Sequence, residues 1–263
     1  MSDIFGYIGA LLIGLTLGLT GGGGSILTVP ILVYIFFINP VTATAYSLFI
    51  VGTTSVFGAI HNYFKGLVDI KTGFLFAIPS FIAVYITRSL ILTILPENLI
   101  KMGEFILTKS TFLMVFFALI MLLASYSMLK KKLNIAKIHA NSTTLSLVIQ
   151  NFCIGIIIGL VGAGGGFLII SSLVFFAQLP MKKAVGTSLF IIAMNSLIGF
   201  LGDVQNLLID WLFLIKFTFI SIIGIFAGIY LNKFINEKQL KIGFGYFVLI
   251  MACVILIKEI FFV

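Results

Sequence analysis

Two glycine clusters interrupt apolar runs in this chain. Gly21 to Gly24 lie in "GLTGGGGSILTVPIL" (18–32), and Gly162 with Gly164 to Gly166 lie in "GLVGAGGGFLIISSL" (159–173). Glycine costs a helix about 1 kcal/mol per residue against alanine. Unwound backbone inside a bilayer finds no water. Close helix packing needs only one small residue per turn. The pairs Gly14/Gly18 and Gly155/Gly159 suit that role, whereas consecutive glycines exceed it. After each cluster a short helix is expected to start, at Ser25–Ile26 and at Gly166–Phe167. The first N–H groups of a helix have no intrahelical partner and, with the helix dipole, favour an anion. Missing side chains let a ligand approach that backbone closely. The chemistry implied is the binding of a small anion between two broken helices.

Neutral donors suited to oxyanion oxygens flank both clusters. Ser25, Ser47 and Thr54 belong to the first copy, and Thr187, Ser188 and Asn195 to the second. The competing role for each is an ordinary helix–helix hydrogen bond, worth about 0.6 kcal/mol in a membrane. The substrate-binding candidates are therefore Gly21, Gly22, Gly23, Gly24, Ser25, Ser47, Thr54, Gly162, Gly164, Gly165, Gly166, Thr187, Ser188 and Asn195. Arg88 and Lys216 fall inside apolar segments, toward the outer half. They either snorkel to the surface or draw an anion to an outer vestibule. His61 sits near the inner end of its segment, as an interfacial residue or as the carrier of a coupling proton. The acidic residues Asp203 and Asp210 fall in outer loops, and none is expected deep in a span.

No catalytic constellation accompanies these residues. The glycine runs lack the Lys-Ser/Thr of a phosphate loop, and no HExxH occurs. Cys153 and Cys253 lie in apolar segments as packing thiols, with no metal-ligand spacing around them. The reading is a non-enzyme with no cofactor and no metal.

The elements that must position the candidates are membrane spans. Of 263 residues, 61% are hydrophobic and 9% charged, and the mean hydropathy is +1.26. Soluble domains average about 25% charged residues. The net charge of +8 follows from lysines in short loops, as the positive-inside rule predicts, and does not call for nucleic acid. Apolar segments are expected near 4–20, 26–38, 43–62, 72–95, 111–129, 143–161, 167–178, 184–202, 209–231 and 242–260. The first reads as a span rather than a removed leader. Segments 26–38 and 167–178 are too short for a normal span of about 20 residues; whether they are re-entrant or full spans stays open, and the parity is the same either way.

The chain repeats itself at a spacing of 141 residues without a gap. "ATAYSLFIVGTTSVFG" (43–58) lies over "AVGTSLFIIAMNSLIG" (184–199), Ser55 over Ser196, and Asp69 over Asp210. Five segments per half is an odd number, so equivalent segments enter the membrane from opposite sides. The expected fold class is an all-α polytopic membrane protein of two inverted-topology repeats with 8–10 helices. Residues 1–129 form the first repeat, 130–142 a basic cytoplasmic linker, and 143–263 the second repeat. Both termini then face outward from a cell membrane. Inverted repeats with glycine-interrupted helices at matching positions mark many secondary transporters.

The doubled pattern, "GLTGGGGSILTVPIL" with "ATAYSLF" and "GLVGAGGGFLIISSL" with "AVGTSLF", resembles the TauE/SafE sulfite exporter family, also called the toluene sulfonate uptake permease family. The resemblance covers essentially the whole chain. It implies transport of sulfite, organosulfonates or other sulfur-containing anions. Carried over by position, Gly21 to Gly24 and Pro30 match the first copy; Gly162, Gly164 to Gly166 and Ala184 to Ser188 match the second. Ser171 stands where a proline is common in the family. Tyr46 stands where the first copy often has threonine, which removes a compact hydroxyl beside Ser47.

The function expected from residues and resemblance together is secondary transport of a small sulfur oxyanion or sulfonate by alternating access. Protons are the candidate coupling ion, the lipid bilayer is the surrounding partner, and the oligomeric state is open. The alternative is a passive anion channel or a carrier for a different small solute.

Overall fold

The computed structural model describes residues 2–22, 24–102, 105–129, 144–232, 234 and 237–261. Gly23 and the linker 130–142 lie outside the described residues. The chain is an all-α polytopic membrane protein. Its helices are α1 (Ser2–Thr20), α2 (Ser25–Tyr34), α3 (Pro40–Phe64), α4 (Ile70–Ile86), α5 (Leu92–Ile94), α6 (Lys109–Leu129), α7 (Thr144–Val161), α8 (Gly166–Phe175), α9 (Met181–Asp203), α10 (Trp211–Leu231) and α11 (Glu237–Phe261). A π-turn, Thr87–Ile91, joins α4 to α5, so one continuous apolar helix runs from Ile70 to Ile94. A small antiparallel hairpin, β1 (Asn98–Met102) and β2 (Phe105–Thr108), follows it.

Among the described residues, five helices are long and apolar enough to cross a membrane: Pro40–Phe64, Ile70–Ile94, Lys109–Tyr126, Met181–Asp203 and Trp211–Leu231. The helices α2 and α8 have 10 residues each, about 15 Å at the helical rise. Neither is long enough to span alone.

Local chemistry recurs at the same spacing of 141 as the sequence. Asp69 caps α4 by accepting the Thr72 N–H at 3.0 Å, and Asp210 caps α10 by accepting the Phe213 N–H at 3.0 Å. Such caps satisfy N–H groups that a helix start leaves without partners. The turns that leave the short helices both pass through a left-handed residue, Phe37 at φ 54° and Gln178 at φ 53°. The Ile38 N–H then reaches the Leu32 carbonyl at 3.1 Å, and the Leu179 N–H the Leu173 carbonyl at 3.2 Å.

Packing follows the same pairing. Helices α3 and α9 form the centre; α1 packs on α10, α4 on α7, and α6 on α11. The expected packing glycines are where α1 and α7 touch their partners. A side chain on Gly14 would strike the Ser221 carbonyl of α10, and one on Gly155 the equivalent Ser80 carbonyl of α4. Gly224 and Gly228 of α10 abut the Leu11 and Leu15 backbone in return. Backbones this close gain dispersion contacts that lipid tails cannot supply, which is why small residues line membrane helix interfaces.

Candidate functional site

Both glycine clusters unwind the chain between two helices. Gly21 (φ 72°) and Gly22 (φ 156°) end α1, and Gly162 (φ 68°), Gly164 (φ 64°) and Gly165 (φ 61°) separate α7 from α8. Positive φ is costly for residues with a Cβ and cheap for glycine. Gly24 and Gly165 then stand at the N-caps of α2 and α8, with no side-chain cap on either.

The two breaks meet. A Cβ on Gly22 would lie 2.5 Å from the Gly166 Cα, and a Cβ on Gly166 would collide with the Gly22 backbone. The flanking walls come from α3 and α9 at equivalent positions. Val185 of α9 covers Gly21, and Thr44 of α3 covers Gly162. Gly164 faces Val51, Ile192 and the Ser196 hydroxyl, the last at 3.3 Å from a Cβ built on it.

The hydroxyl candidates divide by what they bond. Ser25 Oγ donates to the Gly22 carbonyl at 2.8 Å, within its own break. Ser188 Oγ approaches both the Gly21 carbonyl at 2.6 Å and the Val185 carbonyl at 2.8 Å, and so ties α9 to the first break. Thr54 donates to Ser221 Oγ of α10 at 3.1 Å. Its counterpart Asn195 accepts from Ser80 Oγ of α4 at 2.9 Å. Thr187 Oγ1 accepts the Asp69 N–H at 2.9 Å. By contrast, Ser47 Oγ, Ser55 Oγ, Ser196 Oγ and Asn195 Nδ2 are buried and have no hydrogen-bond partner among the described residues. Buried polar atoms are nearly always paired, so this set on α3 and α9 is unusual. Ser55 and Ser196 were visible in the sequence only as an aligned pair.

The ionisable candidates separate. Lys216 is on the exposed face of α10. His61 lies in the last turn of α3 with its ring edge toward Phe226, at 6.3 Å between centroids. Arg88 does not snorkel: it is 1% exposed, in the π-turn after α4. Its Nη1 donates to Asp203 Oδ2 at 3.1 Å and to Thr44 Oγ1 at 3.1 Å. The sequence reading placed Asp203 in an outer loop. The structure has it buried in the last turn of α9, because its carboxylate is drawn to the guanidinium. Nothing in the local sequence signals this pair, since its members are 115 residues apart.

A family model described as "Sulfite exporter TauE/SafE" matches residues 7–255. A "Probable membrane transporter protein" of Xylella fastidiosa strain 9a5c is 28% identical, over 87% of this chain and 85% of its own. The "Probable membrane transporter protein YdhB" of Bacillus subtilis is 28% identical, over 88% of this chain and 90% of its own. A "Probable membrane transporter protein" of Methanocaldococcus jannaschii, MJ0441, is 37% identical over 40% of this chain and 42% of its own. No solved structure matches the chain.

Proposed function

The chain belongs to the sulfite exporter TauE/SafE family, and from that premise we propose that this membrane transporter carries a small sulfur-containing anion, such as sulfite or an organosulfonate. The anion binds between the two glycine breaks, and access to it alternates between the two sides of the membrane. The observation that carries this reading is the backbone contact between Gly22 and Gly166, beside buried donors on α3 and α9 that lack partners among the described residues. An anion entering between the breaks would meet bare backbone N–H groups at two helix starts. The unpaired hydroxyls and the Asn195 amide supply further donors of the kind oxyanion oxygens accept.

The recurrence of caps, turns and interhelical bonds at a spacing of 141 supports two halves inserted with opposite orientation. Rocking one half against the other would open the site to each side in turn. The Gly22–Gly166 contact favours a carrier over an open channel, since the breaks must part before a ligand fits between them. In this reading the protein sits in the cell membrane with the basic linker 130–142 in the cytoplasm and both termini outside. Protons are the proposed coupling ion.

Sulfite and methanesulfonate uptake into proteoliposomes containing the purified protein tests the proposal. Saturable uptake that a proton gradient drives, and that Gly164→Leu abolishes, is the expected result. Uptake that grows linearly with concentration would point to a channel. Unimpaired transport by a well-folded Gly164→Leu protein would overturn the assignment of the site.

A further inference from the structure

Arg88 is used on one side only. Its Nη1 is engaged by Asp203 and Thr44. Its Nε and Nη2 are buried and have no hydrogen-bond partner among the described residues. Those two nitrogens form the side-on edge of a guanidinium, where two parallel N–H groups match two oxygens of one oxyanion. One nitrogen of this free edge borders the second glycine break: Nη2 lies 2.6 Å from where a Cβ on Gly162 would sit. Thr44, whose backbone also borders Gly162, is one helical turn from Ser47, another buried donor without a partner among the described residues.

The pair is also where the two halves part company. At the spacing of 141, Arg88 corresponds to Ile229 and Asp203 to Asn62. Among the described residues the Asn62 side chain makes a local bond, from Nδ2 to the Gly58 carbonyl at 2.9 Å. Helix packing, which the halves share, is thus achieved in the other copy without any charge. Burying a cation with donors unmet is costly, and the cost is incurred in one half alone.

We propose that the Nε–Nη2 edge of Arg88 is the fork that holds the transported oxyanion at the second glycine break. Asp203 orients the guanidinium through its other nitrogen and balances its charge when the site is empty. The fork selects a group with two coplanar oxygens, as sulfite, sulfonates and carboxylates present. This rests on the anion-transport reading above and adds the residue that supplies the paired donors.

The test is binding of sulfite, methanesulfonate, sulfate and acetate to the purified full chain by titration calorimetry, with size-exclusion profiles as the measure of folding. Arg88→Lys keeps the charge and loses the fork; affinity should fall about tenfold or more. Arg88→Gln with Asp203→Asn removes both charges together, so no unpaired charge is left buried, and it should lose binding to a similar extent. Wild-type affinity in a monodisperse Arg88→Lys or double variant overturns the fork. A wild-type protein that binds acetate but no sulfur anion, with loss in the variants, upholds the fork and overturns the sulfur reading. A wild-type protein that binds none of the four overturns both.

Discussion

The phenolic oxygen of Tyr46 accepts the backbone N–H of Asp210 at 2.6 Å. At the matching position Thr187 Oγ1 accepts the Asp69 N–H at 2.9 Å. Tyr46 had looked like the loss of a compact hydroxyl beside Ser47. Its ring instead carries a hydroxyl farther, to the loop before α10, and lies tilted against Phe213 at 6.2 Å between centroids. Both halves thus hold the start of a helix in the opposite half through one hydroxyl from α3 or α9.

Tyr46→Phe keeps the ring and removes the acceptor. It should destabilise the protein by about 1 kcal/mol, the usual net worth of such a bond. Thr187→Val should cost a similar amount. Thermal melting of the purified variants checks both. An unchanged midpoint for Tyr46→Phe would show that the bond contributes nothing measurable.

Gly14→Leu should prevent proper assembly, because any side chain there meets the Ser221 carbonyl and the Ile225 N–H region of α10. Overpacking typically costs about 1–3 kcal/mol and more where only backbone can yield. The control is Gly243→Ala on α11, where an added Cβ meets nothing within 4 Å; it should be neutral or stabilise by up to about 1 kcal/mol through helix propensity. Fluorescence-detected size exclusion distinguishes the two: a monodisperse Gly14→Leu protein would contradict the packing argument.

Ser196→Ala and Ser47→Ala remove buried hydroxyls that lack partners among the described residues. They should leave the melting midpoint unchanged or raise it, while lowering affinity for sulfite. Ser188→Ala breaks the bond to the Gly21 carbonyl and should destabilise by about 1 kcal/mol. Comparing midpoints with sulfite affinities separates the groups. A stability loss for Ser196→Ala that matches Ser188→Ala would mean that its hydroxyl has a structural partner.

Gly22→Ala forces the two breaks apart, since its methyl group would meet the Gly166 backbone. Transport per reconstituted protein should drop about tenfold or more, as small misplacements at a binding centre can cost even larger factors. Proteoliposome uptake measures it. Wild-type rates would show that the contact is not passed through during turnover.

Much of this molecule is set by local pattern. Apolar runs longer than about 20 residues specify spans wherever they occur. Glycine clusters specify breaks because glycine adopts left-handed backbone angles without the steric cost that a Cβ brings, as at Gly21, Gly162, Gly164 and Gly165. The gapless repeat already paired Asp69 with Asp210 and Ser55 with Ser196. The four-residue spacing of Gly14/Gly18 and of Gly155/Gly159 also marked them as packing glycines, though not against which helices.

The tertiary structure decided which donors stay free. Ser25, Ser47, Thr54 and Ser188 look alike in sequence. Three are consumed, by Gly22, Ser221 and Gly21, and Ser47 is left over among the described residues. Whether a hydroxyl has a partner depends on what a distant segment brings within about 3 Å, and one-dimensional spacing does not encode that distance. The same holds for Arg88. From sequence it was a cation in the outer half of a span, either snorkelling or drawing an anion to an outer vestibule. Only the fold brings Asp203 to one side of it and the bare backbone of Gly162 to the other. Desolvation then makes that contact matter, because a buried charge must be answered by neighbours rather than by water.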